Sequence, residues 1–328
     1  MVNLVHVAMQ QLVHRLAKMA GLWARTVDVD DAGTVISIWV PKDKLLRAPA
    51  AEETETERRK KEEKPDADGG RLSVVLLHGF AGDGILTWVL QVGALARHYD
   101  VYVPDLLFFG GSTSPAGGGD LSPGFQAECV AAALRMLGVE RCVAVGFSYG
   151  GFVAFKMAEA HPGLVVSVVA TGSLVDMSRS TSEAMLRRLG AASFAEFLLP
   201  DDVAGLRSLF ATGTYRKWWF PDRVLRDYIK LMIFNRKERA QLLERLVISD
   251  EDAAVVVPCF RQEILLLWGE DDSIFNMELA RSLKEQLGEK ATLRSIAKAG
   301  HLVMLERPRA FNRRLMEFLL RQSSRQAP

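Results

Sequence analysis

Residues 142–151 read Cys-Val-Ala-Val-Gly-Phe-Ser-Tyr-Gly-Gly, and residues 152–160 follow with the apolar spacing of a helix. The run 142–145 is continuously apolar, as expected of a strand covered on both faces. A strand that passes into a helix within a few residues brings backbone against backbone, and glycine tolerates that approach. Gly146 and Gly150 therefore bracket Ser148 for a steric reason. The Gly-x-Ser-x-Gly turn lifts the serine hydroxyl clear of the sheet and sets it at the positive end of the next helix. An ordinary glycine-rich turn shares these five letters, but the strand before and the helix after favour the strained elbow.

The same alternation extends in both directions. Apolar runs at 72–77, 101–103, 164–170 and 264–268 predict further strands, 292–296 is expected to be the last strand, and 125–137 predicts a helix between two of them. Runs without polar alternation suit a sheet buried on both faces, so the fold class is α/β, with a mostly parallel central sheet flanked by helices. Residues 25–173 and 258–328 supply this core. Residues 174–257 interrupt it: they are helix-rich, offer no buried-strand pattern and carry Phe194, Phe197, Phe210, Tyr215, Trp218, Trp219, Phe220, Tyr228 and Phe234. They predict an inserted helical cap. Any one of these aromatics is an ordinary core residue; grouped over a cleft they imply an apolar ligand.

Residues 1–24 predict an amphipathic helix, with Leu4, Val5, Met9, Leu12, Val13, Leu16, Met19 and Trp23 recurring mostly at helical spacing. Packing on the core is its simpler role; peripheral contact with a membrane, or cover for a site entrance, is the alternative. Residues 25–41 predict a hairpin turning at Asp31-Ala32-Gly33. Residues 48–70 are dominated by Glu, Lys and Arg, cannot bury apolar surface and predict a charged mobile loop.

Composition narrows the function classes. Hydrophobic residues make up 49% and charged residues 25% of the 328, the balance of an ordinary globular protein. A formal net charge of +1 argues against nucleic acid as the main partner, because phosphate binding needs a concentrated basic surface, so recognition is expected to come from a pocket for a small molecule. Cys129, Cys142 and Cys259 are far apart and form no metal-binding pattern, which predicts reduced buried thiols, no metal site and a cytoplasmic setting. No apolar run reaches 18 residues and the first residues lack a secretory-signal pattern, so no transmembrane segment is expected.

A hydroxyl is a weak nucleophile near neutral pH and needs a positioned base, which itself needs an orienting acid. Of six histidines, His301 follows Ser148 in the chain and lies just past the predicted 292–296 strand, where ligands of open α/β sheets gather. The acid is expected between the two. The apolar run 264–268 leads into Gly269-Glu270-Asp271-Asp272, three adjacent carboxylates that the residues alone do not separate, and Asp176 is a fallback. Upstream, Val74-Val75-Leu76-Leu77-His78-Gly79-Phe80 is a strand ending in a loop. The backbone N–H groups of Phe80 and Tyr149 are the candidate oxyanion hole, where each donor typically contributes about 3 kcal/mol.

Taken in chain order, HGF (78–80), PDLLFFGGS (104–112), GFSYGG (146–151), WGEDD (268–272) and AGHLVMLERP (299–308) resemble the α/β-hydrolase superfamily. PDLLFFGGS is most similar to plant members bearing a cap of several helices, described as esterase-like, monoacylglycerol-lipase-like or epoxide-hydrolase-like. The resemblance implies Asp272 as the acid, three residues past the glycine of its loop. Epoxide hydrolases of this superfamily carry aspartate where Ser148 stands, and its carbon-carbon bond hydrolases have a fuller Gly/Pro-rich loop than His78-Gly79-Phe80-Ala81-Gly82. The implied activity is therefore a serine hydrolase that cleaves carboxylic esters of small or medium apolar substrates through an acyl-enzyme, without a cofactor. A slow-turnover small-molecule receptor of the same fold and a carbon-carbon bond hydrolase are the alternatives.

Overall fold

The computed structural model describes residues 2–45, 71–115, 120–255 and 259–324; the charged 48–70 segment lies outside the described residues. Strands β1 (Leu22–Asp28) and β2 (Val35–Pro41) form the expected hairpin, registered from Leu22 opposite Pro41 to Asp28 opposite Val35. At its turn the Thr34 N–H donates to the Asp30 carboxylate at 2.8 Å. Then follow β3 (Ser73–Leu77), β4 (Asp100–Pro104), β5 (Cys142–Phe147) and β6 (Val165–Thr171), the two-residue strands β7 (Met177–Ser178) and β8 (Val247–Ile248), and finally β9 (Glu263–Gly269) and β10 (Ala291–Ile296).

Eight of these strands make one sheet in the order β1-β2-β4-β3-β5-β6-β9-β10. The two hairpin strands are antiparallel and the remaining pairs are parallel, apart from the antiparallel join of β2 to β4. The cores of β3 and β5 are fully buried, which is why they read as unbroken apolar runs. Strand β3 lies between β4, its successor, and β5, so the order reverses there and a crevice opens beyond the C-terminal ends of β3 and β5. The helix Gly84–Leu95 packs with Pro308–Ser324, and Pro123–Met136 packs with Tyr149–Ala160.

The N-terminal helix runs through Leu4–Ala8, a π-helical turn Met9–Val13 and His14–Met19, and stops short of the expected 1–24. Gly21, at φ +88°, ends it, its N–H donating back to the Lys18 carbonyl at 3.0 Å, and Trp23 enters β1 instead. Cys129 and Cys142 are buried, and burial pushes both thiols up to about 12. Cys259 is exposed, contrary to the expectation of three buried thiols: it precedes β9 outside the sheet.

Between β6 and β9 the chain builds helices Arg179–Leu189, Phe194–Leu198, Val203–Gly213, Asp222–Met232, Arg236–Leu246 and Asp250–Val255. Parallel pairing of β7 with β8 joins the two ends of this insertion, a contact too short to leave a sequence pattern. Arg239 anchors the insertion to the core. Only 1% exposed, it donates from Nε to the Phe108 carbonyl at 3.0 Å and from Nη1 to the Met232 carbonyl, and its guanidinium lies over the rings of Phe109 at 4.0 Å and Phe234 at 4.5 Å. Phe108 belongs to the loop after β4 and holds φ +71°.

A second buried anchor, His78, joins the loops that follow β3 and β4. The Leu106 N–H donates to its Nε2 at 2.9 Å, so the ring proton sits on Nδ1 and is donated to the Gly79 carbonyl at 2.7 Å. Burial holds the imidazole down at about 4. Its neutral form thus stabilises the fold fully above the ordinary value of 6.5, and this stabilisation is lost as pH falls from there toward 4.

Two outcomes are expected. Arg239→Ala strands buried carbonyls and opens a cavity, so denaturant unfolding should show a loss of about 3 kcal/mol, with faster proteolysis within the insertion. The acid limb of wild-type stability, measured by unfolding between pH 7 and the acid range, should carry a one-proton slope worth up to about 3 kcal/mol that His78→Gln lacks.

Candidate active site

Strand β5 ends at Phe147 and the next helix begins at Tyr149, so Ser148 alone makes the turn. It sits at φ 52°, ψ −121°, a region that residues with a side chain rarely enter. Its N–H donates to the Thr171 carbonyl at 2.9 Å, and its carbonyl accepts from the Gly151 N–H at 2.8 Å. A Cβ on Gly146 would lie 2.3 Å from the Gly150 carbonyl oxygen, and one on Gly150 would lie 2.5 Å from the carbonyl oxygens of Leu77 and His78. Both glycines are therefore sterically required. The helix starts earlier than the expected position near Phe152 because Gly150 and Gly151, poor helix formers, are needed for this close pass.

His301 and Asp272 are brought together from the loops after β10 and β9. The imidazole Nδ1 is 2.9 Å from Asp272 Oδ2, while Oδ1 accepts from the Ile274 and Phe275 N–H groups at 2.9 and 2.8 Å. Of the three adjacent carboxylates, only that of Asp272 is buried; Glu270 and Asp271 are exposed. Asp176, the fallback, is paired instead with Lys156 at 2.9 Å. The ring of His301 stacks on Phe275 and leans against Phe147, with centroids at 5.7 and 4.7 Å. Ser148 and His301 open into one cavity. Among the described residues no hydrogen bond joins their side chains.

The Phe80 and Tyr149 backbones flank the serine. Tyr149 heads its helix, where first-turn N–H groups have no intrahelical acceptor. A Cβ on Gly79 would stand 3.2 Å from Ser148 Cβ, so the 79–80 backbone passes close beside it. The Phe80 ring packs edge-on against Phe109 and Tyr149.

Above these groups lies a cavity of about 580 Å³. Six of the nine cap aromatics line it: Phe194, Phe197, Phe210, Trp218, Phe220 and Tyr228. Tyr215 and Trp219 are exposed instead, and Phe234 stacks on Arg239. Among the described residues the cavity lining contains no Lys, Arg, Asp or Glu, and no cluster of metal-ligating side chains occurs.

Three residues of the site have contacts that the sequence does not signal, although Tyr228 is one of the aromatics noted in the 174–257 segment. Gly172, after β6, leaves room for the imidazole, since a Cβ there would stand 2.6 Å from His301. Glu306 accepts from the N–H groups of Gly300, Tyr215 and Arg216 at 2.7, 3.1 and 2.9 Å, tying the histidine loop to the cap. Tyr228 donates its hydroxyl to the Ala81 carbonyl at 2.5 Å, beside Phe80. No spacing marks them, because each acts through a contact made only in three dimensions.

Comparison with known proteins agrees with this architecture. A 2-hydroxy-6-oxo-2,4-heptadienoate hydrolase of Pseudomonas putida is 27% identical over 264 residues, covering 75% of this chain and 88% of that protein. Lipase 1 of Psychrobacter immobilis is 25% identical over 240 residues, covering 71% and 72%. The structure of a 2-hydroxy-6-oxo-6-phenylhexa-2,4-dienoate hydrolase from Rhodococcus is similar with a TM-score of 0.69 at 20% identity, covering 92% of this chain and 99% of that one. Residues 73–308 match the sequence profile of the family described as alpha/beta hydrolase fold, the sheet order and the turn at Ser148 accord with it, and the chain belongs to that family.

Proposed function

We propose that the chain is a serine hydrolase acting on uncharged carboxylic esters with an apolar acyl group. The observation that carries this reading is Ser148 held at φ 52° at the floor of an apolar cavity that also receives the His301–Asp272 pair. Ser148 Oγ attacks the ester carbonyl as His301 Nε2 takes its proton. Asp272, its second oxygen fixed by two backbone N–H groups, keeps Nδ1 protonated and Nε2 free to accept. The tetrahedral oxyanion is held by the N–H groups of Phe80 and Tyr149. Collapse expels the alcohol with the proton from His301. Water, deprotonated by the same imidazole, then releases the acid and restores Ser148.

The relatives include enzymes named for dienoate substrates, which are anions, and a lipase. Among the described residues the cavity lining has no Lys or Arg to partner an anionic chain, and burying an unpaired carboxylate is costly. That favours the ester over carbon-carbon bond cleavage. Serine, rather than aspartate, at the elbow disfavours epoxide opening.

Hydrolysis of p-nitrophenyl esters of graded chain length should rise in kcat/KM until the cavity is filled, with multiple turnovers, and Ser148→Ala should lose about a million-fold in kcat by analogy with the subtilisin nucleophile. A single slow turnover would favour the receptor alternative instead. Tyr228→Phe frees the loop that carries Phe80, so kcat should fall about tenfold with KM and melting temperature nearly unchanged.

A further inference from the structure

The N-terminal helix carries more apolar side chains than the fold buries. Its inward stripe, Met9, Val13 and Ala17, packs into the core. On its outer side Leu4, Leu12, Leu16 and Met19 remain 43%, 58%, 41% and 83% exposed. Single exposed leucines are common, but four large apolar residues recurring along one helix form a patch that water does not favour. Arg15 and Lys18 stand among them, and residues 4–19 contain no acidic side chain.

The patch is continuous with the cavity. Leu4 and Leu12 are exposed and also line it, so they stand at its mouth. Cap residues 218–224 contribute to the same wall, through Trp218, Phe220 and Val224. Three bonds fix the start of the helix to this part of the cap: the Arg223 guanidinium donates to the Val2 carbonyl at 3.2 Å, the Asn3 side-chain amide to the Asp227 carbonyl at 3.0 Å, and the Leu4 N–H to the Asp227 carboxylate at 2.8 Å. Trp219, between two lining residues, is 76% exposed. Five cations, Arg216, Lys217, Arg223, Arg226 and Lys230, share residues 215–230 with it, against Asp222 and Asp227. In a chain whose net charge is +1, this places an excess of positive charge beside the apolar rim.

We propose that this surface docks on an anionic lipid bilayer, with the N-terminal helix lying in the interfacial plane, so that the ester entering the cavity is a lipid taken from the membrane. What becomes of the lipid rests on the esterase reading; the docking does not. An interfacial helix buries one apolar side at the headgroup boundary, tryptophan settles at that depth, and neighbouring Lys and Arg are drawn to anionic headgroups. A second copy of the chain would cover the apolar stripe but bring like charges together, whereas anionic lipid satisfies both features.

The test uses full-length Ser148→Ala protein, which keeps the surface but not the proposed nucleophile, sedimented with vesicles of phosphatidylcholine alone or mixed with phosphatidylglycerol. Binding is expected to the mixed vesicles, weakened by salt. The pair Leu16→Glu with Met19→Glu, and separately Lys217→Glu with Arg226→Glu, should each reduce partitioning about tenfold or more. None of these four residues lines the cavity, so in the Ser148 background both pairs should still hydrolyse a water-soluble short-chain ester at the wild-type rate. Absence of binding to the mixed vesicles, or binding that both pairs leave unchanged, overturns the docking. So does a lipid-free dimer that the Leu16/Met19 pair dissociates while vesicles stay unbound. Vesicle binding without Ser148-dependent hydrolysis would instead support the docking and sink the esterase reading.

Discussion

The structure depends on how closely the end of β5 and the start of its following helix pass each other. A Cβ at residue 146 would come within 2.3 Å of the Gly150 carbonyl oxygen, so no side chain fits at either glycine, and the whole change of direction falls on Ser148. A backbone at φ 52° carries a strain cost of order 1–3 kcal/mol, sustained by the buried strands on either side. The Thr171 carbonyl, at the end of β6, receives the serine N–H, so the neighbouring strand fixes the turn as well. The reversal of strand order between β3 and β5 then sets this serine beside the loop of Phe80.

The cap is joined to that crevice by polar contacts buried among aromatic rings. Asp105 accepts from the N–H groups of Gly84 and Gly111, both at 3.0 Å, and the Ser112 hydroxyl donates to its carbonyl, so the 104–112 segment is folded around one carboxylate. Burial raises Asp105 above the ordinary carboxylate range, and Asp83 is raised by burial and by Asp105 beside it. Arg239 and Tyr228 reach this region from the cap, through Phe108 and Ala81. The helical insertion and the loop bearing Phe80 are therefore joined by hydrogen bonds, so a shift of one is felt by the other.

Much of this is legible in the residues. The apolar runs locate the strands because a sheet buried on both faces has no polar alternation to disguise it, and the Gly-x-Ser-x-Gly turn stands between two elements of opposite period. Asp272 is distinguished in the sequence only by resemblance, because three carboxylates are adjacent; in space the choice is physical, since one of them is buried against the imidazole. The contacts of Gly172, Glu306, Tyr228 and Arg239 are not legible, since each meets a partner distant in sequence. The N-terminal helix is shorter than its apolar pattern suggests because Trp23 fits both that pattern and β1, and only the left-handed Gly21 decides between them.

In the proposed reaction the Ser148 hydroxyl is activated by His301. Peptide mass mapping after exposure to a fluorophosphonate, with wild type and His301→Ala compared for rate, measures that activation. One adduct is expected, on the peptide containing Ser148, formed far more slowly without the imidazole. An adduct on another residue, or equal rates in the two proteins, would contradict it.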